Sequence, residues 1–279
     1  MRIFQRLAAA ALATLVLVAA APAPVALKTT EFGKGPTIVL VHTLGGSRLG
    51  WMPTARKLLS GYRVVMVDLP GHGDTPMPDP FTFEGAAEAL DQVLAKQNAD
   101  STIVVGQGTG GMLAVLAVHA HPEHARGVVT IDTWLKFPIP IPDQQKKRFL
   151  AFMDENFDDF LGRMFKGQGR DSAQGVAIHA QASLVPRDHM KTYLSKFLDT
   201  DASAAVKNFP RPLLYIGTAK NWAAGSDWAT IARERGWEEA TGVQSMRIDS
   251  SAAMIASDQP DSLAAAISGF AKRAFATKK

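Results

Sequence analysis

The clearest chemical signature in the sequence is a glycine-rich run at residues 106–111, Gly-Gln-Gly-Thr-Gly-Gly. Four residues that favour strands, 102–105, lead into it, and a segment that favours a helix, 112–119, follows at once. In this strand–turn–helix setting the pattern G-x-S-x-G raises a nucleophilic serine above the end of the strand. Here the serine position holds Gly108, so the frame of a covalent catalyst lacks its hydroxyl.

Gly108 suits the backbone that such a turn demands. The turn holds its central residue in an unfavourable backbone region, which glycine occupies at little cost. Thr109 is a poor replacement nucleophile, because that register places Gln107 where the tight turn needs a small residue. A non-catalytic protein could therefore keep Gly108 for stability.

The same run also fits a second pattern, G-x-G-x-x-G, formed by Gly106, Gly108 and Gly111. It follows a strand, opens a helix, and precedes Asp132 by about 20 residues, as a dinucleotide-binding site requires. That fingerprint normally lies on the first strand of its domain, whereas two strand–helix units precede it here. Dinucleotide binding stays an alternative, which tight binding of NAD(P) would distinguish.

Hydrophobic runs and turn residues predict the elements that position this stretch. Strands are predicted at residues 25–32, 37–42, 62–69, 102–105, 127–132, 212–217 and 244–248. Helices are predicted at residues 51–59, 83–97, 112–119, 143–165, 187–198, 226–235 and 261–275. The alternation predicts an α/β fold with a mostly parallel central sheet and helices on both faces. It stops at residues 134–206, which are expected to form a helical lid over the ligand-binding edge.

The N-terminus predicts an exported protein. Arg2 and Arg6 precede an apolar run at residues 7–21 and two prolines, which is typical of a secretory signal peptide over residues 1–26, cleaved near 20–26. We expect a periplasmic or secreted protein with no stable membrane span after cleavage; a retained anchor is the alternative. The chain has no cysteine, which excludes disulfides and thiolate chemistry.

Composition narrows the class of partner. With 47% hydrophobic and 20% charged residues, the chain can bury a large core. Without the signal segment it carries 28 basic and 26 acidic residues, so no nucleic-acid partner is expected. A small-molecule ligand is expected, a protein partner is an option, and the oligomeric state is left open.

Four segments, in chain order, resemble the α/β-hydrolase family. Residues 42–47, HTLGGS, resemble its H-G-x-G-G-S loop, and residues 68–73, DLPGHG, resemble D-x-P-G-x-G. Residues 105–111 resemble V-G-H-S-x-G-G, and residues 258–260, DQP, resemble the D/E-x-P that precedes the last helix. The resemblance implies an α/β-hydrolase core at residues 27–133 and 207–279, a cap at 134–206, and esterase- or lipase-like ancestry with Ser, acid and His in that order.

The same resemblance places the catalytic positions on residues that cannot repeat this chemistry. The nucleophile falls at Gly108, the histidine at Ala253, and the acid at Lys220 or Asn221. Asp132, at the end of the preceding strand, is a candidate replacement acid. Since no histidine follows His189, no shift of register supplies the base.

What the resemblance leaves intact is the anion pocket. The backbone N–H groups of Leu44 and Thr109 are expected to converge beside the N-terminus of the helix. Trp134 and Trp222 are expected to flank the pocket or to pack under the lid. The predicted pocket residues are His42, Thr43, Leu44, Gln107, Thr109 and Trp134.

These observations predict a pseudoenzyme of hydrolase ancestry that binds a small carbonyl or carboxylate ligand, or a partner, in the former active site. An active but unconventional hydrolase is the alternative, using water, the oxyanion hole and His42 as base; in this family that residue usually supports the loop. No cofactor is expected. No metal site is expected either, because the spacing of His119, His121 and His124 is not a recognised ligand pattern.

Overall fold

A computed structural model of the protein describes residues 25–276, so the predicted signal segment lies outside it apart from its last two residues. Seven strands form one sheet in the order β1-β3-β2-β4-β5-β6-β7, with β1 antiparallel to β3 and every other pair parallel. The strands are β1 (Thr29–Phe32), β2 (Thr37–Val41), β3 (Arg63–Val67), β4 (Thr102–Gln107), β5 (Val128–Ile131), β6 (Leu213–Thr218) and β7 (Gln244–Ile248). The predicted α/β class and mostly parallel sheet are confirmed.

Ten α-helices accompany the sheet in the described part of the chain. They are α1 (Met52–Leu58), α2 (Phe83–Leu94), α3 (Thr109–Ala120), α4 (Asp143–Glu155), α5 (Phe157–Lys166), α6 (Ser172–Ala182), α7 (Arg187–Phe197), α8 (Trp228–Arg235), α9 (Ile255–Asp258) and α10 (Pro260–Ala276). Between residues 25 and 276 no helix is long and apolar enough to cross a membrane.

The five inner strands β2–β6 are mostly apolar and are buried on both faces of the sheet, whereas the edge strands β1 and β7 are partly exposed. Val39 and Val41 of β2 face a layer that includes α2 and α3, whereas Ile38 and Leu40 face α1 and α10. Each such side chain is fully buried, which stabilises the fold by about 1.5–3 kcal/mol per residue. The parallel strands all end at the same edge, so the loops after β2, β4, β5 and β6 meet there.

The lid region differs from its predicted outline in two places. The single helix expected at residues 143–165 is two helices, since the chain breaks at Asn156, whose φ is −119° and ψ is 32°. Helix α6 was not predicted, because alanine, glycine and glutamine dominate it and give no apolar stripe. Asp171 starts α6 by accepting a hydrogen bond from the amide of Gln174 at 2.8 Å.

The four helices α4–α7 share a small core of their own. Leu44, from the loop after β2, packs against this core. The buried members of the core include Met153, Phe157, Leu161, Phe165 and Met190. These four helices therefore pack directly on the loop that was predicted to carry part of the anion pocket.

Candidate functional site

The turn between β4 and α3 has the backbone that the sequence pattern implied. Gly108 has φ 51° and ψ −117°, a region that residues with a side chain rarely adopt. Its amide donates to the carbonyl of Ile131 at 2.8 Å, which fixes the turn against β5. A methyl group placed on Gly108 would overlap Thr43 Oγ1 and lie 3.1 Å from Thr43 Cβ. The Thr43 side chain thus fills the space that an elbow side chain needs.

Two cavities lie on either side of this contact. The first, of about 400 Å³, we call the aromatic chamber. Its walls include Phe83, Trp134, Phe137, Tyr193 and Phe197. The second, of about 430 Å³, we call the loop chamber, and its walls include Leu49, Trp51, Ile178, Gln181 and Met254. Both volumes lie in the range of small-molecule sites.

The wall between the chambers is built around Gln107. Its Nε2 donates to the carbonyl of Ala253 at 2.7 Å, and the amide of Ala253 donates to the carbonyl of Gln168 at 3.3 Å. Five residues line both chambers, namely Thr43, Leu44, Gln107, Gln168 and Ala253. The backbone of Ala253, the predicted histidine position, is therefore tied both to the elbow and to the lid.

The predicted anion pocket opens into the aromatic chamber. Leu44 and Thr109 line it together with Gly108. Among the described residues, neither the Leu44 amide nor the Thr109 amide has a hydrogen-bond acceptor. Thr109 is the first residue of α3, whose N-terminus favours negative charge. Two free donors beside a helix N-terminus can accept a carbonyl or carboxylate oxygen.

The two tryptophans that were expected near the pocket, Trp134 and Trp222, lie in different parts of the structure. Trp134 lines the aromatic chamber, and the Arg235 guanidinium lies 5.0 Å from the centre of its ring. Trp222 belongs to the hydrophobic core on the face of the sheet covered by α2 and α3, and its Nε1 donates to the carbonyl of Ser226 at 2.9 Å.

Asp132 lies in the aromatic chamber wall, but its carboxylate is engaged. Oδ1 accepts from the amide of Thr218 at 2.9 Å, while Oδ2 accepts from Thr218 Oγ1 at 2.6 Å and from Asn221 Nδ2 at 2.8 Å. Of the two residues offered at the acid position, Asn221 lines the chamber, whereas Lys220 is exposed and lines neither chamber. Asp132 thus joins the ends of β5 and β6.

His42 and His72 connect the loop after β2 to the loop after β3 through hydrogen bonds to backbone groups. His42 Nδ1 donates to the carbonyl of Thr43 at 2.7 Å, and its Nε2 accepts from the amide of Leu69 at 3.0 Å. His72 Nδ1 donates to the carbonyl of Pro70, and its Nε2 accepts from the amide of Gly45 at 3.1 Å. Since a carbonyl can only accept and an amide can only donate, both rings must be neutral.

Burial enforces that neutral state. Desolvation, with a smaller contribution from Arg48, lowers the pKa of His42 to about 4. Desolvation and the neighbouring His42 lower the pKa of His72 to about 3. A general base needs a free nitrogen with a pKa near the working pH, and His42 has neither. Its role as a base stays a prediction that this geometry disfavours.

The lid and α2 supply wall residues that sequence patterns missed. Gln168, Phe83 and Tyr193 belong to no local motif, and only the tertiary fold brings them to the elbow. For Gln168 and Tyr193 the available signal was the position of the predicted lid after β5, which indicates that the segment covers the site but not which residues contact it. The position of the lid gives no signal for Phe83 of α2.

Comparison with known proteins decides the family. Residues 36–223 match the family described as alpha/beta hydrolase fold. The chain belongs to the α/β-hydrolase fold family.

Curated relatives in this family include esterases. A pimeloyl-(acyl-carrier protein) methyl ester esterase from Pseudoalteromonas atlantica is 30% identical over 173 residues, which is 61% of this chain and 61% of that protein. The protein with the same description from Vibrio campbellii is 26% identical over 201 residues, or 67% of this chain and 76% of the relative. The match thus spans less than two thirds of the first relative.

Solved structures of α/β hydrolases share the fold. A hydrolase from Oleispira antarctica superposes with a TM-score of 0.73 at 14% identity, covering 88% of this chain and 94% of the other. An esterase from Exiguobacterium antarcticum gives a TM-score of 0.71 at 14% identity, covering 88% and 95%. At this identity the likeness supports the α/β-hydrolase architecture and no more.

Proposed function

We propose that this α/β-hydrolase-fold protein is exported and binds a small acyl ligand, through its carbonyl or carboxylate group, without turning it over. The observation that carries the proposal is the contact between Thr43 and Gly108. A glycine alone would leave room for a water nucleophile in front of the elbow. Here the Thr43 side chain takes part of that space, and Ala253 supplies no base.

The anion pocket and the aromatic chamber suit such a ligand. The free amides of Leu44 and Thr109 would hold the oxygen of its head group. Phe137 and Phe197 offer apolar surface for its chain. Two curated relatives are described as esterases of an acyl-carrier-protein methyl ester, so ligands of acyl chemistry agree with the ancestry. Export is supported by the composition of residues 1–26 alone.

The unconventional hydrolase is the second candidate, favoured by the free amides of Leu44 and Thr109. An oxyanion hole without a triad can still give a residual acceleration of roughly 10³ over water. This second candidate lacks a general base at the elbow, because both ring nitrogens of His42 are already hydrogen-bonded to backbone groups. Dinucleotide binding is less well supported, since it would need the carboxylate of Asp132 that Thr218 and Asn221 already occupy.

The test measures binding and turnover on the same preparation of the mature protein. Binding of hexanoate, octanoate and decanoate is measured by calorimetry, and hydrolysis is measured with p-nitrophenyl acetate, butyrate and octanoate. Each buried CH₂ contributes about 0.8 kcal/mol, so two added methylenes should lower Kd about tenfold. Leu194→Trp should block the aromatic chamber, whereas Leu184→Trp, at a residue 75% exposed and outside it, is the matched control.

The expected result is chain-length-dependent binding that Leu194→Trp abolishes and Leu184→Trp preserves, with ester hydrolysis at the buffer rate. Hydrolysis well above buffer that Leu194→Trp removes would overturn the non-catalytic function and favour the unconventional hydrolase. Tight NAD(P) binding with no carboxylate binding would instead favour the dinucleotide site.

A further inference from the structure

Two histidines and an aspartate meet on the surface far from the two chambers. His124 Nδ1 lies 2.8 Å from Asp91 Oδ1, and His121 Nε2 lies 4.0 Å from Asp91 Oδ2. One ligand-capable atom from each of these three residues lies within 4.8 Å of the others. Glu88 adds a fourth group, since its Oε2 lies 3.3 Å from His121 Nε2. His119, which the sequence placed with this group, is exposed and stands apart from it.

The carboxylate of Asp91 is buried although it lies at the edge of the fold. Its side chain is only 6% exposed, on the face of α2 that packs against α3, and it points at the two imidazoles. A buried carboxylate requires a compensating charge or hydrogen bonds. The two rings stack with their centres 5.6 Å apart and present His121 Nε2 and His124 Nδ1 to it.

Glu123 sits behind both rings. Its Oε1 lies 3.5 Å from His121 Nδ1 and 3.9 Å from His124 Nε2, which are the nitrogens that face away from Asp91. Metal-binding histidines commonly donate their second N–H to a carboxylate, which fixes the tautomer and makes the other nitrogen a better ligand. One carboxylate is therefore placed to orient both rings.

We propose that Asp91, His121 and His124 bind a divalent transition metal of the zinc type, with Glu88 as a fourth ligand. Imidazole nitrogen and carboxylate oxygen are ligands that zinc takes at about 2.0–2.2 Å in tetrahedral geometry. Such a site spaces its ligand atoms by about 3.3 Å, close to the 2.8, 3.3 and 4.0 Å separations already present. Glu88 is near His121 but lies outside the group of three residues whose ligand atoms are within 4.8 Å of one another, so its side chain must rotate towards Asp91 and His124 to become the fourth ligand.

The site is separate from the proposed ligand pocket. Gly108 precedes the first residue of α3, whereas His121 follows the last, and a helix of 12 residues spans about 18 Å. Glu88 and Asp91 come from α2, while His121 and His124 come from the connection between α3 and β5. The metal would join these two segments and so stabilise the fold rather than take part in chemistry at the elbow.

The experiment titrates Zn²⁺ into the mature protein, freed of any histidine tag, by calorimetry, and repeats the titration with Co²⁺ to record its visible absorption. We expect one Zn²⁺ per chain, a tetrahedral Co²⁺ spectrum, and a rise in Tm of about 5–10 °C at free Zn²⁺ about 100-fold above Kd. His124→Ala and Asp91→Asn should abolish all three signals. Glu123→Gln should weaken binding roughly 10–100-fold without abolishing it.

His119→Ala is the matched control, because it removes a neighbouring exposed histidine outside the cluster. Its titration should equal that of the unaltered protein. Far-UV circular dichroism of each variant without metal establishes that it is folded. Absence of Zn²⁺ binding by the unaltered protein would overturn the site, as would binding that survives both His124→Ala and Asp91→Asn, or that disappears in His119→Ala.

Discussion

Introducing a serine at the elbow should be costly because Thr43 occupies its space. In Gly108→Ser the new Cβ would overlap Thr43 Oγ1 and lie 3.1 Å from Thr43 Cβ. Overpacking of this kind costs about 1–3 kcal/mol. The backbone at φ 51° adds strain of about 1–3 kcal/mol for a residue with a side chain. The first cost depends on Thr43 and the second does not, so the two can be separated.

A double-mutant cycle in urea makes that separation. The free energy of unfolding is measured for the unaltered protein, Gly108→Ser, Thr43→Gly and the double variant. The four are compared only if the slope of this free energy against urea concentration is the same for all of them. We expect Gly108→Ser to cost about 1–3 kcal/mol less in the Thr43→Gly background. Thr43→Val keeps the shape of the side chain and serves as the control, in which the cost should not fall. A coupling within about 0.5 kcal/mol of zero would refute the steric account of this contact.

Three further predictions test the groups around the elbow. Because burial holds the pKa of His42 at about 4 and of His72 at about 3, below the usual 6.5, the unfolded chain takes up protons first as the pH falls. The free energy of unfolding should therefore drop between pH 6.5 and about pH 4, by on the order of 3 kcal/mol per histidine, and His42→Asn should flatten that slope in urea titrations. Gln107→Ala should merge the two chambers and cost about 1 kcal/mol by freeing the Ala253 carbonyl; calorimetry should show a larger gain in affinity for decanoate than for hexanoate, and equal changes would contradict the dividing wall. Asp132→Ala should cost about 2–4 kcal/mol by leaving its donors unpaired, whereas Asp132→Asn should cost less, since an amide oxygen still accepts and asparagine tolerates φ 47°; equal costs in urea would contradict the assigned network.

The fold was predictable where local sequence and tertiary packing demand the same thing. All seven strands lie at the predicted positions. The five inner strands β2–β6 are buried on both faces and are therefore mostly apolar, whereas the edge strands β1 and β7 are partly exposed and carry polar residues. The lid was harder. Helix α6 has no apolar stripe, and its start depends on a side-chain cap at Asp171 that is a weak signal without its context.

Local pattern identified the turn that holds Gly108 but could not report what surrounds it. The Gln107–Ala253 hydrogen bond joins residues 146 positions apart. The Thr43–Gly108 contact also joins two separate loops, which meet because β2 and β4 are neighbours in the sheet. Neither pairing leaves a periodicity or a motif. In the sequence Thr43 stands where the family's loop has a glycine, whereas the structure shows that its side chain occupies the space that a side chain at residue 108 would need.

These contacts also bear on how the proposed loss of catalysis is maintained. A serine at residue 108 would meet Thr43, so it would require a second change in the loop after β2. A histidine at residue 253 would lie beside Gln107, whose hydrogen bond holds that backbone, and beside Gln168 of the lid. Each single substitution would therefore lower stability without completing a triad. We expect ester hydrolysis only when Thr43→Gly, Gly108→Ser and Ala253→His are combined. Activity of the Gly108→Ser/Ala253→His pair alone, at the level of the triple variant in p-nitrophenyl butyrate assays, would contradict the view that Thr43 is part of the block.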